Sequence, residues 1–344
     1  MNNFFAIMER FAPEAIEIMT NRYLVLKQVF YNQPIGRRQL THNMGSTERV
    51  IRSEVDLLKS RGALQTTPLG IYLTVYGEEM LRDVEELVPG LFKFQLLGEK
   101  IKDRFGLREV IIVPGDSNTE IFAKDDLGRA AAEYLRKILY PGCILAVTGG
   151  STLAGVANMM REGIDGAQDI FVVPARGGLG ENVETQAGNI AAKIAQTIGA
   201  QYRLLHIPDN IEQSTAEALK KDIHISEVIR TIKSANILIH GIGPATEMAD
   251  RRSLSDDEKN FLHLHDARAE ALRYYFDQWG KIIFEIPGIG LECEDVHHID
   301  TIVAVAGGSN KAAAIEAVLS SGNEHILITD EGAAQKIIYG RDDS

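Results

Sequence analysis

Cysteine and long apolar runs are the features that this sequence has least of. Among its 344 residues only Cys143 and Cys293 are cysteines, and no cluster of cysteine and histidine has the spacing of metal ligands. We therefore expect no bound metal and two reduced thiols, as in a protein of the cytoplasm. No apolar run approaches the ~20 residues that span a membrane, and charged residues interrupt the N-terminal apolar stretch. The sequence thus predicts neither a signal peptide nor a membrane helix.

Positive charge is scarce in most of the chain. The length of the chain indicates two domains. The sequence carries 36 basic and 48 acidic side chains, which gives a net charge of −12 at pH 7. Residues 22–61 are the exception, because they hold eight basic against three acidic side chains. A basic block joined to an acidic body indicates a nucleic-acid-binding module attached to a domain with another role. The alternative, from charge alone, is a solvated helical face that binds nothing.

The basic block contains helical segments separated by a glycine turn. Apolar spacing predicts one helix in "RYLVLKQVFYN" and a shorter one in "IGRRQLTHNMG", which Gly45 ends. The next segment, "STERVIRSEVDLLKSRGAL", predicts a helix with Ser46 as its N-cap. Two short helices around such a turn are typical of a helix-turn-helix, whose second helix enters the major groove of DNA. The residues that we expect to contact DNA are Arg37, Arg38, Ser46, Thr47, Arg49 and Arg52.

A hairpin follows the helix-turn-helix. The segment "ALQTTPLGIYLT" predicts two short strands with a turn at residues 68–70, which would form the wing of a winged helix. A generic helical bundle would show the same helical periodicity without needing this hairpin. A helix predicted over 77–88 and the Pro-Gly pair at 89–90 then mark a boundary. We expect a DNA-binding domain over 1–90 and an effector-binding and oligomerisation domain over 91–344.

The second part of the chain alternates between apolar runs and helical stretches. Continuous apolar strands between amphipathic helices are typical of a doubly wound α/β domain with a mainly parallel sheet. Such a domain binds its ligand at the carboxyl ends of the strands. The runs that we predict to be strands are 110–113, 144–147, 170–175, 202–207, 236–243, 281–286, 301–306 and 325–330.

Two of these strands lead into nearly identical Gly-Gly-Ser loops. The stretch "AVTGGSTLAGV" predicts a strand, a glycine turn and a helix through residue 160, with Ser151 and Thr152 as caps. The stretch "AVAGGSNKAAAI" repeats this order, with Lys311 in the first helical turn. Free backbone N–H groups and the positive end of the helix dipole favour an anion in such a loop. Lys311 would oppose that dipole unless an anion stood before it, although each loop alone could be a connection that binds nothing.

A third loop adds an arginine. In "VVPARGGLGENVETQ" Arg176 ends a strand, Gly177 and Gly178 would let the backbone approach a ligand, and a following helix contains Gln186. Three such loops in one α/β domain, carrying an arginine and a lysine, indicate a phosphorylated small molecule as the ligand. The loop residues that we expect at this ligand are Gly149, Gly150, Ser151, Thr152, Arg176, Gly177, Gly178, Ser309, Asn310 and Lys311.

A fourth strand and loop bear on whether the ligand is a substrate or a signal. The stretch "LIHGIGPATEMADRRS" resembles the active-site loop of the glucosamine-6-phosphate deaminase and ribose-5-phosphate isomerase superfamily, in which an acid and a histidine transfer protons. Here Pro244, Ala245 and Thr246 stand where titratable groups would be needed. We interpret His240 as a packed histidine. The pattern favours a sensor, and the alternative is a sugar-phosphate isomerase or deaminase with an added helical domain.

Long motifs over nearly the whole chain resemble the SorC family of bacterial transcription factors. They are "PIGRRQL", "VTGGST", "VPARGGLGE", "YRLL", "SANILIHGIG", "RR" at 251–252, "IVAVAGGSNKA" and "TDEGAA". The resemblance implies an N-terminal DNA-binding domain, an effector domain of the deaminase-like fold, and repression of a glycolytic operon that fructose 1,6-bisphosphate relieves. It implies effector contacts at Gly149, Gly150, Ser151, Thr152, Arg176, Gln186, Arg251, Glu270 and Lys311.

Taken together, these features predict an effector-controlled repressor. Arg251 and Glu270 enter the effector site on the resemblance alone, since their surroundings indicate a surface charge and an amphipathic helix. Ser151 stands where the family pattern has threonine, and it keeps the hydroxyl. We expect operator DNA, a phosphorylated sugar and a dimer or tetramer of the chain as partners, with no cofactor, no metal and no membrane contact. An activator built from the same parts is the other reading.

The expected recognition helix can be tested by mutation. Arg49→Ala or Arg52→Ala in the full chain should weaken binding to operator DNA by about 1–3 kcal/mol. Binding should also fall steeply as salt is added, because each neutralised phosphate releases counterions. Fluorescence anisotropy with a labelled duplex measures both effects. A full chain that ignores duplex DNA even at low salt would contradict the assignment of this domain.

Overall fold

The computed structural model describes residues 2–85, 93–179, 182–209 and 211–340. The chain forms two compact units, residues 1–96 and 97–344, each with its own apolar core. The expected boundary at 89–90 lies outside the described residues, and the helix expected over 77–88 spans Val75–Glu85 where it is described. In these four ranges no helix combines the length and the hydropathy needed to cross a membrane.

The N-terminal unit is built from helices and one hairpin. Its described elements are α1 (Asn2–Phe11), α2 (Pro13–Asn32), α3 (Arg37–Asn43), α4 (Glu48–Ser60), β1 (Leu64–Thr67), β2 (Gly70–Leu73) and α5 (Val75–Glu85). The expected hairpin is present, since β1 and β2 pair antiparallel with Leu64 opposite Leu73. Leu40, Ile51 and Ile71 are at most 2% exposed and join α3, α4 and β2 in one core.

The start of α4 differs by one residue from the expectation. Thr47, rather than Ser46, is the N-cap, and its hydroxyl accepts a hydrogen bond from the Val50 N–H group at 3.4 Å. The reason is that the Ser46 N–H group still donates to the Thr41 carbonyl oxygen and so belongs to the preceding turn. Gly45 adopts a φ of +57° after α3, as the glycine that ends a helix commonly does.

The rest of the chain alternates helices and strands. The helices are α6 (Lys93–Phe105), α7 (Ile121–Ile138), α8 (Ser151–Met159), α9 (Ala187–Ile198), α10 (Gln213–Lys220), α11 (Ile223–Lys233), α12 (Ala245–Arg251), α13 (Asp256–Leu264), α14 (Cys293–Val296), α15 (Ala312–Leu319) and α16 (Glu331–Tyr339). The strands are β3 (Glu109–Val113), β4 (Ile144–Val147), β5 (Phe171–Pro174), β6 (Gln201–Tyr202), β7 (Ile237–Gly241), β8 (Gly243–Pro244), β9 (Ala269–Ala271), β10 (Tyr274–Phe276), β11 (Ile282–Glu285), β12 (Thr301–Val305) and β13 (Ile326–Asp330).

A seven-stranded parallel sheet organises this unit. Its order is β3-β13-β12-β7-β4-β5-β6, and every neighbouring pair is parallel. Alternate side chains pack on opposite faces, with Val147 and Ile239 in the core beneath α7, α8 and α9 and Leu238 in the core beneath α11. Helices cover both faces, which confirms the expected doubly wound α/β fold.

The edge of this sheet is shorter than expected. Of the run 202–207, only the first residue lies in β6, whose bounds are Gln201–Tyr202. The chain then leaves the sheet edge, and the Ile207 carbonyl oxygen accepts a hydrogen bond from the Gly178 N–H group at 2.9 Å. An apolar run therefore marks a buried segment here without marking a strand.

A second, antiparallel sheet lies outside the expected architecture. Its order is β11-β10-β9-β8, so the run 281–286 does not join the parallel sheet as expected. Gly280, with a φ of +82°, allows the tight turn from β10 to β11, and such a turn imposes antiparallel pairing. The helix expected around Glu270 is wrong as well, because Glu270 lies in β9 opposite Tyr275.

His240 on β7 is 1% exposed and forms a buried pair with Glu324. Its Nε2 atom lies 2.9 and 3.0 Å from the two carboxylate oxygens, and its Nδ1 atom lies 3.2 Å from the Gly241 carbonyl oxygen. Both ring nitrogens face acceptors, so only the imidazolium form donates to both. Burial lowers the pKa of His240, but the Glu324 carboxylate outweighs burial and the pKa is raised.

This pair predicts a pH dependence of stability. Since the folded-state pKa of His240 lies above its ordinary value of about 6.5, the pair contributes fully below that value. Its contribution is lost as the pH rises through the folded-state pKa, so the free energy of unfolding in urea should fall on that side. His240→Gln should flatten this part of the profile, and the exposed His224→Gln in α11 should not. An unaltered profile in His240→Gln would refute the assignment.

Candidate functional site

A cavity of about 390 Å³ opens at the carboxyl ends of β4 and β7, the edge at which doubly wound domains bind ligands. Of the residues expected at an effector, its wall holds Gly149, Gly150, Ser151, Thr152, Arg176, Arg251, Glu270 and Lys311. Wall residues that the sequence did not suggest include Thr148, Leu179, Asn182, Thr185, Glu247 and Met248. Within the described ranges, no group of three His, Cys, Asp or Glu side chains could hold a metal ion.

The Gly149 loop presents unpaired donors to this cavity. Gly150 is the N-cap of α8, so Ser151 and Thr152 are the first two residues of the helix rather than its caps. In the described chain, no acceptor meets their backbone N–H groups or hydroxyls. The loop is held from behind, because the Gly150 N–H group donates to the Thr185 carbonyl oxygen at 2.8 Å. These donors at the positive end of a helix are available to an anion.

The Gly307 loop has nearly the same sequence but is closed by the protein's own carboxylates. The Gly308 N–H group donates to Asp330 Oδ2 at 2.7 Å, and the Ser309 N–H group donates to Asp116 Oδ1 at 3.0 Å. Burial would raise the pKa of Asp116, but hydrogen bonds from Ser309 and a neighbouring residue outweigh it and hold the pKa below its usual value. The expected contacts Ser309 and Asn310 do not line the cavity, and carboxylates of the protein itself accept the hydrogen bonds of this loop.

Lys311 is the residue of this closed loop that does reach the cavity. It ends a short 3-10 turn, Ser309–Lys311, and precedes α15 rather than lying in its first turn as expected. Burial lowers its pKa, Glu247 opposes that effect, and the like charges of Lys124 and Arg251 add to it. Among the described residues its ammonium group has no hydrogen-bond or ion-pair partner. A bound anion would therefore favour the charged form of Lys311.

A buried chain of ion pairs fixes Arg176. Its Nη1 atom donates to Asp209 Oδ2 at 2.9 Å, and Arg252 Nη1 donates to the same oxygen at 2.7 Å. Arg252 Nη2 then donates to Glu270 Oε1 at 2.6 Å. All four side chains are at most 7% exposed, so water screens these pairs little. The chain of pairs sets Arg176 and Glu270 into the cavity wall from distant parts of the sequence.

The two arginines of this network have different roles. Burial lowers the pKa of Arg176, against the opposing effect of Asp209. Burial also acts on Arg252, but Glu270 and Asp209 together outweigh it and raise the pKa of Arg252. The other guanidinium nitrogens of Arg176 donate to no further described residue, which leaves them for a ligand. Sequence reasoning missed Asp209 and Arg252, and the adjacent arginines at 251–252 were the one available signal.

Three residues expected to contact the effector contact the protein's own backbone instead and do not line the cavity. A Cβ added at Gly177 would lie 2.6 Å from the Ile207 carbonyl oxygen, so this glycine admits the protein's own chain. Gly178 donates its N–H group to the same carbonyl. Gln186 is the N-cap of α9, and its amide group exchanges two hydrogen bonds of 2.8 Å with the backbone of Leu179. Gln186 thus holds Leu179 in the wall without lining the cavity itself.

Of the expected DNA contacts, Ser46 is half-buried before α4, Thr47 is its exposed N-cap, and the four arginines lie on helices. Arg37 and Arg38 begin α3, Arg49 and Arg52 lie in α4, and all four side chains are exposed. Arg52 is 3.9 Å from Asp56, and both are about two-thirds exposed, so this pair is weak. A weak pair leaves the arginine able to bind a phosphate group. The assignment of these contacts stays a prediction.

Comparisons with protein families divide the chain in the same way. Residues 18–88 match the family described as "CggR N-terminal DNA binding domain". Residues 91–339, more than half of the chain, match the family described as "Putative sugar-binding domain". The first match contains α3 and α4, and the second contains the whole cavity.

Individual relatives share nearly the full length. The chain is 38% identical over 339 residues to the central glycolytic genes regulator of Priestia megaterium, covering 98% of this chain and 99% of the relative. The Bacillus subtilis regulator of the same name is 38% identical over 338 residues, with the same coverage. A crystal structure of a "putative SorC family transcriptional regulator" from Enterococcus faecalis has 38% identity and a TM-score of 0.66, covering 71% of this chain and 99% of that one. The full-length sorbitol operon regulator SorC from Klebsiella pneumoniae covers 94% of this chain and 98% of its own with a TM-score of 0.66, and at 15% identity it supports the fold alone.

The lowered pKa of Lys311 predicts how the pH acts on anion binding. Affinity for a sugar phosphate should fall as the pH rises through the pKa of the empty site, because binding then requires proton uptake. Isothermal titration from about pH 7.5 to about pH 10 with fructose 1,6-bisphosphate measures this loss. Lys311→Arg should abolish it, since arginine stays charged, whereas the exposed Lys137→Arg should keep it. An identical pH dependence in both variants would exclude Lys311 from the anion site.

Proposed function

This chain belongs to the SorC family of bacterial transcriptional regulators, and on that premise we propose that it represses glycolytic genes until a phosphorylated sugar releases it from its operator. It combines a DNA-binding domain with a sugar-binding domain. The name shared by its two curated relatives, central glycolytic genes regulator, supports the choice of genes. We propose further that it acts in the cytoplasm as a dimer or tetramer and needs no cofactor.

The contrast between the two Gly-Gly-Ser loops carries the proposal. In the Gly307 loop the Gly308 and Ser309 N–H groups are occupied by Asp330 and Asp116, so only the side chain of Lys311 remains for a ligand. In the Gly149 loop the donors of Ser151 and Thr152 meet no described acceptor, and they lie on a cavity wall that also holds three cationic side chains. A phosphate bound there would accept hydrogen bonds from the start of α8 and a charge-assisted bond from Arg176.

Fructose 1,6-bisphosphate is the effector that we favour, because two cationic side chains of the cavity wall, besides Arg176, are available for a second phosphate. Lys311 and Arg251 come from different elements and are close enough for Arg251 to lower the pKa of Lys311. A second phosphate between them would relieve this repulsion. The carboxylates of Glu247 and Glu270 in the same wall are acceptors for sugar hydroxyl groups. A monophosphate bound at Arg176 would leave Lys311 and Arg251 without an anion.

Release from DNA requires two conformations that differ in their affinity for the sugar. An effector that bound both equally would shift nothing, so the sugar phosphate must favour the state that binds DNA weakly. By the same linkage, operator DNA must lower the affinity for the effector. The wall groups that such a change would move come from the loop after β5 and from β9, α8 and α12.

The enzyme alternative is not favoured by the cavity. His240, the one histidine of the loop that resembles the deaminase and isomerase active sites, lies in the core against Glu324 and does not line the cavity. Glu247 is the titratable group of that loop on the wall, and it faces the charge of Lys311. Proton transfer by this loop would need titratable groups at 244–246, where Pro244, Ala245 and Thr246 stand.

The proposal can be tested with a labelled duplex that the full-length protein selects from a random library. Fructose 1,6-bisphosphate should lower its affinity for this duplex and raise its melting temperature more than fructose 6-phosphate does. Lys311→Ala should weaken effector binding by about 1.5–3 kcal/mol, since it removes a charge-assisted contact. Thr152→Ala should cost about 1 kcal/mol, and Arg176→Ala more. All three variants should bind the duplex normally without ligand.

The two loops provide a matched control. Ser151→Ala removes a hydroxyl from the open loop and should reduce the shift in melting temperature. Ser309→Ala makes the same change in the closed loop and should leave it unaltered. Equal protection by fructose 6-phosphate and fructose 1,6-bisphosphate would remove the second phosphate site. If no sugar phosphate changed the affinity for DNA, the proposal as a whole would be wrong.

A further inference from the structure

A second cavity, of about 290 Å³, lies between α10, the turn from β9 to β10 and the segment leading into α14. It shares no described wall residue with the first cavity, which we propose to bind the effector and call the effector cavity. Its volume would hold about ten water-sized groups, enough for a small metabolite. Two features of its wall point to the chemistry of an occupant: a buried arginine inside and carboxylates at the outside.

The buried group is Arg273, which is 2% exposed although it is one of the largest side chains in the unit. Its Nη1 and Nη2 atoms donate to the carbonyl oxygens of Ile286 and Leu291 at 3.3 and 3.2 Å, which are long hydrogen bonds. Its Nε atom is buried and has no partner in the described chain. The nearest carboxylate oxygen, of Glu285, lies 3.7 Å away and its side chain is half exposed. Buried cations normally have a close anionic partner, whereas Arg273 has the half-exposed Glu285 and the Tyr274 ring, whose centroid lies 5.8 Å from its Cζ atom.

The outer wall has the opposite charge. Glu217, Glu285 and Glu294 line the cavity and are all exposed. A fourth carboxylate, Glu292, is already neutralised by Lys220 and Lys233, each at 2.8 Å, and these lysines lower its pKa to about 2. The three exposed carboxylates therefore leave an excess of negative charge around the entrance to a cavity whose interior is cationic.

This separation of charge excludes simple ions as occupants. A dianion such as a sugar phosphate would have to pass three carboxylates, and like charges oppose its binding. A cation alone would satisfy the carboxylates but leave Arg273 uncompensated. A small zwitterion with a carboxylate at one end and an ammonium group at the other meets both requirements, with the carboxylate toward the guanidinium group.

We propose that this second cavity binds a free α-amino acid, with its carboxylate at Arg273 and its ammonium group among Glu217, Glu285 and Glu294. The proposal does not depend on the sugar-phosphate function of the first cavity. Gly288 lies between Arg273 and the ion-pair network behind the first cavity, because a Cβ placed there would lie 3.2 Å from Arg273 Nη1 and 3.0 Å from Asp209 Oδ1.

The test uses the full chain and the L-α-amino acids added singly at millimolar concentration. At least one should raise the melting temperature, and isothermal titration should give its affinity. The α-hydroxy acid and the decarboxylated amine that correspond to this amino acid should each bind at least about tenfold more weakly, since each lacks one charge. Binding of either compound as strongly as the amino acid would overturn the proposal, as would the absence of binding by every amino acid.

Variants decide whether the binding occurs at this cavity. Glu217→Gln and Glu294→Gln alter exposed side chains, Glu285→Gln removes the carboxylate nearest to Arg273, and each change should weaken binding by up to about fivefold. The three changes together should abolish binding at the same concentration, and Arg273→Gln should do so if it folds. Glu162→Gln, at another exposed glutamate, and Lys311→Ala should leave binding unchanged. Undiminished binding in the triple variant would overturn the proposal.

Discussion

A single carboxylate, that of Asp209, holds the effector cavity in shape. Its Oδ2 atom accepts hydrogen bonds from Arg176 and Arg252 at once, and Arg252 carries the connection on to Glu270. The end of β5, the cap of α12 and β9 are thereby joined around a point that water does not reach. Breaking a buried pair by removing one partner costs roughly 3–5 kcal/mol, because the remaining charge has no compensation. The placement of two wall residues thus depends on a residue that does not touch the cavity.

The central part of the fold could be predicted from the sequence because its strands are apolar on both faces. The runs at β4, β7, β12 and β13 have no other stable location than the middle of a covered parallel sheet. The edges could not be predicted in this way. An apolar run such as 281–286 indicates burial but not which strand lies beside it, and here the turn at Gly280 decides the partner.

The site was predictable where the chemistry is local and not where it depends on tertiary contacts. Glycine loops and the hydroxyls that follow them are visible in the sequence, so Gly149 and Thr152 were found. The two Gly-Gly-Ser loops differ because Asp116 and Asp330 accept hydrogen bonds from one of them. Asp116 lies 193 residues from Ser309 in the sequence. No local pattern announces such a partner. Asp209 and Arg252 could not be predicted for the same reason, because an ion pair forms between two segments that only folding brings together.

The closed loop has a consequence for how the protein behaves in a cell full of anions. Asp330 caps α16 through the Ala333 N–H group, so its carboxylate is tethered within hydrogen-bond distance of Gly308. A tethered ligand acts at an effective concentration that free metabolites do not reach. Changes in the pools of inorganic phosphate, nucleotides or organic acids therefore cannot populate the Gly307 loop. Of the two Gly-Gly-Ser loops, only the copy without an internal competitor keeps backbone donors open to a free anion.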